Sequence, residues 1–140
     1  MILPFIYIAP SEKGGRGVFT SEAIPAETVI EVSPVLVLTA EERKAAETTA
    51  LFNYIFEWGD AGDGAAVAWG YVSMYNHHVP ANCHYTMDAD FETITITTVR
   101  DISAGEELFI NYLGDPDHAG DGVGIGDRLQ GCHLSVRQDR

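Results

Sequence analysis

"YNHHVPANCHY", residues 75–85, gathers Asn76, His77, His78, Asn82, Cys83 and His84 between Tyr75 and Tyr85. Three functions suit such a stretch: a metal site, a catalytic loop, or a turn whose polar side chains satisfy backbone groups. His77, His78, Cys83 and His84 are metal ligands by type. Neighbours on an extended chain point to opposite sides, however, and neither C-x-x-C nor H-x3-H spacing occurs. Asn, His and Pro in a loop also serve as partners for backbone groups. The stretch alone leaves the choice open.

Two further segments bear on it. "KGGRGVF" (13–19) sets glycines around Arg16 just before a strand, which permits close backbone approach to a ligand. It lacks the G-x-G-x-x-G spacing and the following helix of a dinucleotide site. "ISAGEELFINY" (102–112) turns at Ala104 and Gly105 and feeds acidic residues into a strand that ends on Tyr112.

The whole chain limits what these segments can belong to. Its 140 residues suit one ordinary domain, and 46% hydrophobic with 10% aromatic residues is a globular composition. No apolar run approaches the ~20 residues of a membrane span, so no membrane partner is expected. "MILPFIYIAP" has no basic leader and is interrupted by Pro4, so it reads as a buried strand, and a cytoplasmic location with Cys83 and Cys132 as free thiols is expected. A net charge of −13, from 21 acidic and 8 basic residues, disfavours direct nucleic-acid binding and favours a Lys/Arg-rich protein or peptide partner.

The pattern is mainly β. Strands are expected at 4–9, 17–20, 28–38, 51–58, 65–70, 84–88, 93–99 and 107–112, each short, β-branched or aromatic, and bounded by turn residues. One helix starts at Thr39, where Glu42 completes a capping box, and should end near Leu51. "EWGDAGDGAAVAW" suggests a hairpin with its tip over 59–64, and Trp58 and Trp69 are assigned to the core. From Gly114 the chain becomes rich in Gly and Asp, which separates a folded unit over 1–113 from a mobile tail over 114–140.

In this order and at these separations, "GRGVF", "NHHVPAN" and "GEELFINY" resemble the SET domain, the fold of lysine methyltransferases that use S-adenosylmethionine. The small members without zinc-binding flanks are the nearest kind. The resemblance implies a mainly β, β-clip fold of several small sheets, one or two short helices and a knot-like C-terminal core. It implies methyl transfer to a lysine amine of a basic protein.

By the same resemblance Gly15, Arg16 and Gly17 run along the cofactor. Asn76 and His77 contact it, with Tyr75 and Asn82 among its neighbours. Tyr85 lines the lysine channel and Tyr112 is the catalytic tyrosine. The attacking amine must be neutral, although free lysine titrates near 10.4; burial and the sulfonium charge both lower that value. Catalysis is then mostly positioning and preorganised electrostatics, without metal or covalent intermediate.

Three positions depart from the family pattern. Asn111 replaces the usual Asp before the tyrosine, His78-Val79 replaces Ser-Cys, and the cysteine cluster that closes the channel in many relatives has no counterpart. The tail or a second copy in a homodimer would then form the lid. A SET-like module that binds cofactor or peptide without catalysis is the alternative.

Overall fold

The structure, a computed structural model, describes residues 1–117. The tail expected over 114–140 therefore lies mostly outside the described residues, as do Cys132 and His133.

Among the described residues nine strands form two sheets. The first has the order β1-β2-β9-β6, with β1 at Ile6–Pro10, β2 at Arg16–Thr20, β6 at Asn76–His77 and β9 at Glu107–Ile110. The second has the order β4-β5-β3-β8-β7, with β3 at Val29–Leu38, β4 at Ile55–Trp58, β5 at Gly64–Ala68, β7 at Cys83–Asp88 and β8 at Thr93–Thr98. Pairing is antiparallel except between β6 and β9, which run parallel with Asn76 opposite Phe109 and His77 opposite Ile110.

Period-two alternation decides which faces meet. Along β8, Ile94, Ile96 and Thr98 are buried while the threonines between them are half-exposed. Ile6, Val18, Ile30, Phe56, Leu108 and Ile110 join them in one core between the sheets. Fully burying each such side chain is worth roughly 1.5–3 kcal/mol. Trp58 belongs to this core. Trp69 does not and is 54% exposed: Ala68 takes the inward position at the end of β5, which sends the next side chain to the outer face.

Helix α1 (Ala40–Ala46) begins as its capping box requires. Thr39 Oγ1 accepts from the Glu42 N–H at 3.2 Å, and Glu42 Oε2 accepts from the Thr39 N–H at 2.8 Å. It ends earlier than expected. The hydroxyls of Thr48 and Thr49 donate to the carbonyls of Ala45 and Ala46, and Thr49 Oγ1 then accepts from the Leu51 N–H to start a 3-10 turn over Ala50–Asn53. Side chains that compete for backbone partners stop a helix without any Gly or Pro.

The knot-like core forms where β9 lies between β2 and β6. Beyond Tyr112 the chain folds back across the 78–82 loop, where the Ala81 N–H donates to the Pro116 carbonyl at 2.9 Å.

Candidate active site

Three segments distant in sequence meet at this core. β9 is pinned by the Asn82 side chain, whose Nδ2 donates to the Glu107 carbonyl at 2.8 Å and whose Oδ1 accepts from the Phe109 N–H at 2.7 Å. Both ends of the amide are thus committed to backbone. Asn82, expected beside the cofactor, is placed as the clasp that holds β9 in the crossing.

On the β2 side, Gly17 lies against β9 so closely that a Cβ there would sit 2.8 Å from Asn76 Nδ2 and closer still to Glu107 Oε1. Asn76 Nδ2 donates to the Arg16 carbonyl at 3.2 Å and to Glu107 Oε1 at 2.8 Å. Two acceptors define that end of the amide as the nitrogen. Asn76 Oδ1 therefore faces away from them, and no donor reaches it among the described residues although Asn76 is only 5% exposed. Glu107 also accepts from Ser11 Oγ at 2.9 Å, tying the loop before β2 to the same carboxylate. Beside these groups opens a cleft of about 430 Å³, lined by His78, Asn82, Arg100, Glu107 and Phe109 among others, with His78 and Phe109 rings 5.1 Å apart.

The tyrosines gather around Tyr112, just past the end of β9. Tyr112 is 1% exposed, and its hydroxyl donates to the Tyr75 carbonyl at 2.9 Å. Its backbone N–H donates to His77 Nδ1 at 3.0 Å, with the two rings 5.0 Å apart. The Tyr85 hydroxyl donates to the Tyr112 carbonyl at 3.1 Å, and the Tyr85 ring meets Phe56 of β4 edge-on at 5.5 Å. Tyr75 itself is fully buried, with its hydroxyl donating to Glu31 at 3.0 Å. What Tyr75 turns toward the site is its carbonyl.

His77 and His78 do not converge with Cys83 and His84, which point to opposite faces of β7. Among the described residues no group of three His, Cys, Asp or Glu side chains could hold a metal ion. Burial pushes the Cys83 thiol up to about 12, so it is a core residue rather than a nucleophile.

The fold is mainly β, as the resemblance implies, with the segments near 76–82 and 106–112 side by side, and the SET-domain family matches residues 15–113. This chain belongs to the SET-domain family. It is 40% identical over 106 residues to the Schizosaccharomyces pombe histone-lysine N-methyltransferase, H3 lysine-37 specific, covering 75% of this chain and 71% of that protein. A Plasmodium falciparum candidate histone methyltransferase superposes with a TM-score of 0.61 at 26% identity, over 79% of this chain and 95% of that one. Chaetomium thermophilum Polycomb Repressive Complex 2 with a bound inhibitor shares the fold with a TM-score of 0.64 at 23% identity, over 76% of this chain and 14% of that one. The chain is accordingly a protein lysine N-methyltransferase of SET type, a family that generally uses S-adenosylmethionine. No described helix is long and apolar enough to cross a membrane.

Two residues of this SET site escape a motif-based reading. Glu107 lies within "GEEL" and has no role of its own in the motif, yet it joins Ser11, Asn76 and the wall at Gly17. Glu31 sits inside "TVIEVSPVLVL", where alternation with Ser33 and Val35 marks an inward face and was the available signal.

His77 carries a pH dependence. Burial, and to a smaller extent neighbouring His78, hold its imidazole below the ordinary value. Because Nδ1 accepts from the Tyr112 N–H, the neutral ring carries its proton on Nε2, and protonation of Nδ1 would break that bond. The unfolded chain binds this proton more readily than the folded one, so the stabilisation is complete above the unfolded value and is lost as pH falls below about 6.5. Thermal melts and turnover should both decline on acidification, and a His77→Gln variant should show a shallower decline. Identical pH profiles for the two proteins would contradict the assignment.

Proposed function

We propose that this enzyme transfers a methyl group from S-adenosylmethionine to the side-chain amine of a lysine in a basic protein, with Tyr112 and Tyr85 as the catalytic pair. The observation that carries this is the placement of the Tyr112 hydroxyl. Its hydrogen is donated to the Tyr75 carbonyl, so toward a reacting group it acts as an acceptor, and the residue is buried.

The residues present fit the cofactor. Gly15, Arg16 and Gly17 give a backbone wall without side-chain bulk at Gly17. Asn76 Oδ1 is a buried acceptor suited to an ammonium group, held in orientation by Glu107. His77 lies between this wall and Tyr112, while Tyr75 and Asn82 support the site through backbone contacts. When bound, S-adenosylmethionine supplies an electrophilic methyl on a sulfonium. The protein's part is to strip water from the amine, which favours its neutral form, and to point its lone pair. The hydroxyls of Tyr112 and Tyr85 are the oriented acceptors and dipoles for that step.

The substrate face follows from β4. This strand is a sheet edge, it touches Tyr85 through Phe56, and it leads into a hairpin carrying Glu57, Asp60 and Asp63. An open edge takes an extended peptide by strand addition, and the acidic border selects a basic one. The relative's action on histone H3 makes core histones the first acceptors to test. The catalytic unit is residues 1–113.

The test is transfer of labelled methyl from S-adenosylmethionine to mixed core histones and other basic proteins. Label on lysine side chains, with kcat/KM falling as salt is added, is the expected result. Cofactor binding without transfer to any acceptor would favour an inactive binding module, and a flat salt profile would remove the electrostatic part of substrate selection.

A further inference from the structure

Glu31 is a carboxylate at 0% exposure in the middle of the core, on β3 just after a register slip against β8. Its Oε1 accepts from Ser33 Oγ and from the Tyr71 N–H, both at 2.7 Å, and its Oε2 accepts from the Tyr75 hydroxyl at 3.0 Å. Every partner donates, and the backbone N–H can do nothing else, so the group is arranged as an anion solvated by protein. Among the described residues no cation pairs with it. Burial raises its pKa while Ser33, Tyr71, Tyr75 and Val72 oppose the rise through hydrogen bonds.

An apolar side chain of similar volume would fill this position at lower cost, since a buried charge is a poor source of stability. The partners show what the charge accomplishes instead. Tyr71 and Tyr75 flank the 3-10 turn Val72–Met74 on either side. One carboxylate therefore holds the entry and the exit of a single turn. The approach is made possible by Gly70, at φ +71, where a Cβ would fall 2.5 Å from Glu31 Oε1 and against Ser33 Oγ. The exit residue is the one whose carbonyl accepts from the Tyr112 hydroxyl.

We propose that Glu31 is a positioning residue for methyl transfer: by clamping both ends of the 71–75 turn it sets where the Tyr75 carbonyl holds the Tyr112 hydroxyl. The inference rests on the role given to Tyr112. It assigns catalytic weight to a residue that touches neither substrate nor cofactor, and it makes the interior of the five-stranded sheet part of the enzyme's machinery. Displacements well under an ångström at a preorganised hydroxyl cost rate rather than binding.

The experiment compares Glu31→Gln and Tyr75→Phe, each made in the wild-type and the Tyr112→Phe background, with labelled methyl transfer to mixed core histones well below every melting temperature. In the wild-type background each change should lower kcat about 10-fold with KM for histone and cofactor unchanged. In the Tyr112→Phe background neither should lower it further, because the group being positioned is gone. An equal fall in both backgrounds, or a lower melting temperature with unchanged kcat, would make Glu31 purely structural and overturn the proposal. If Glu31→Gln fails to accumulate as folded protein, Tyr75→Phe carries the same outcomes, since it keeps the ring, the backbone carbonyl and the other donors to Glu31. Full activity of Tyr112→Phe alone would overturn the role of Tyr112 and this inference together, whereas additive losses would overturn this inference only.

Discussion

Tyr112→Phe should lower kcat for lysine methylation by about 100- to 1000-fold while leaving KM for the cofactor nearly unchanged. The hydroxyl is the only part removed; its hydrogen is donated to the Tyr75 carbonyl, and in the proposed mechanism its oxygen orients the amine. The ring still packs against His77, and the backbone N–H still donates to its Nδ1. Stability should fall by about 1–3 kcal/mol, because the buried Tyr75 carbonyl loses its partner. A variant that folds, binds cofactor and turns over slowly is therefore expected. Steady-state transfer assays and calorimetric binding separate the two effects. A kcat within threefold of wild type would remove Tyr112 from the chemistry.

Gly17→Ala should act on binding instead. The new methyl would lie 2.8 Å from Asn76 Nδ2 and closer still to Glu107 Oε1. Neither neighbour moves freely: Glu107 also holds Ser11, and Asn76 also holds the Arg16 carbonyl. Relieving the overlap rotates the amide whose Oδ1 is the proposed acceptor for the cofactor. Losing one hydrogen bond to a charged group costs about 1.5–3 kcal/mol, so the cofactor Kd should rise about 10- to 100-fold by calorimetry. Once saturated, the variant should keep most of its kcat, since the Tyr112 hydroxyl is held by the Tyr75 carbonyl. An unaltered Kd would show that the Gly17 wall is not a cofactor surface.

What could be read before the structure depended on how local the cause was. The start of α1 is legible because Thr39 and Glu42 complete each other within four residues, and the hairpin around 59–64 is legible from its glycines. The early end of α1 is not, because Thr48 and Thr49 are ordinary helix surface residues until their hydroxyls turn back on the preceding carbonyls. Trp69 shows the limit of composition: a tryptophan predicts a core, but one position of strand parity sends it outward. The motif residues were found by type and order, yet their partners were not. Asn82 reaches the backbone of residues 25 to 27 positions later, β6 is a strand of two residues defined only by its parallel neighbour, and Tyr75 contributes a carbonyl rather than its ring. Glu31 shows the same dependence, since an acid in a β-branched run has no meaning until Gly70 and the 71–75 turn are brought to it.

In the proposed mechanism cofactor and lysine meet at β9, the cofactor beside Gly17 and Asn76 and the lysine at Tyr112. A crystal structure of the protein with S-adenosylhomocysteine and a lysine peptide tests it most directly. The expected result is the cofactor's amino group on Asn76 Oδ1, its methionine part along Gly15–Gly17, and the lysine nitrogen within hydrogen-bonding reach of the Tyr112 hydroxyl. A cofactor seated away from Gly17 and Asn76, or a lysine that approaches without reaching Tyr112, would contradict it.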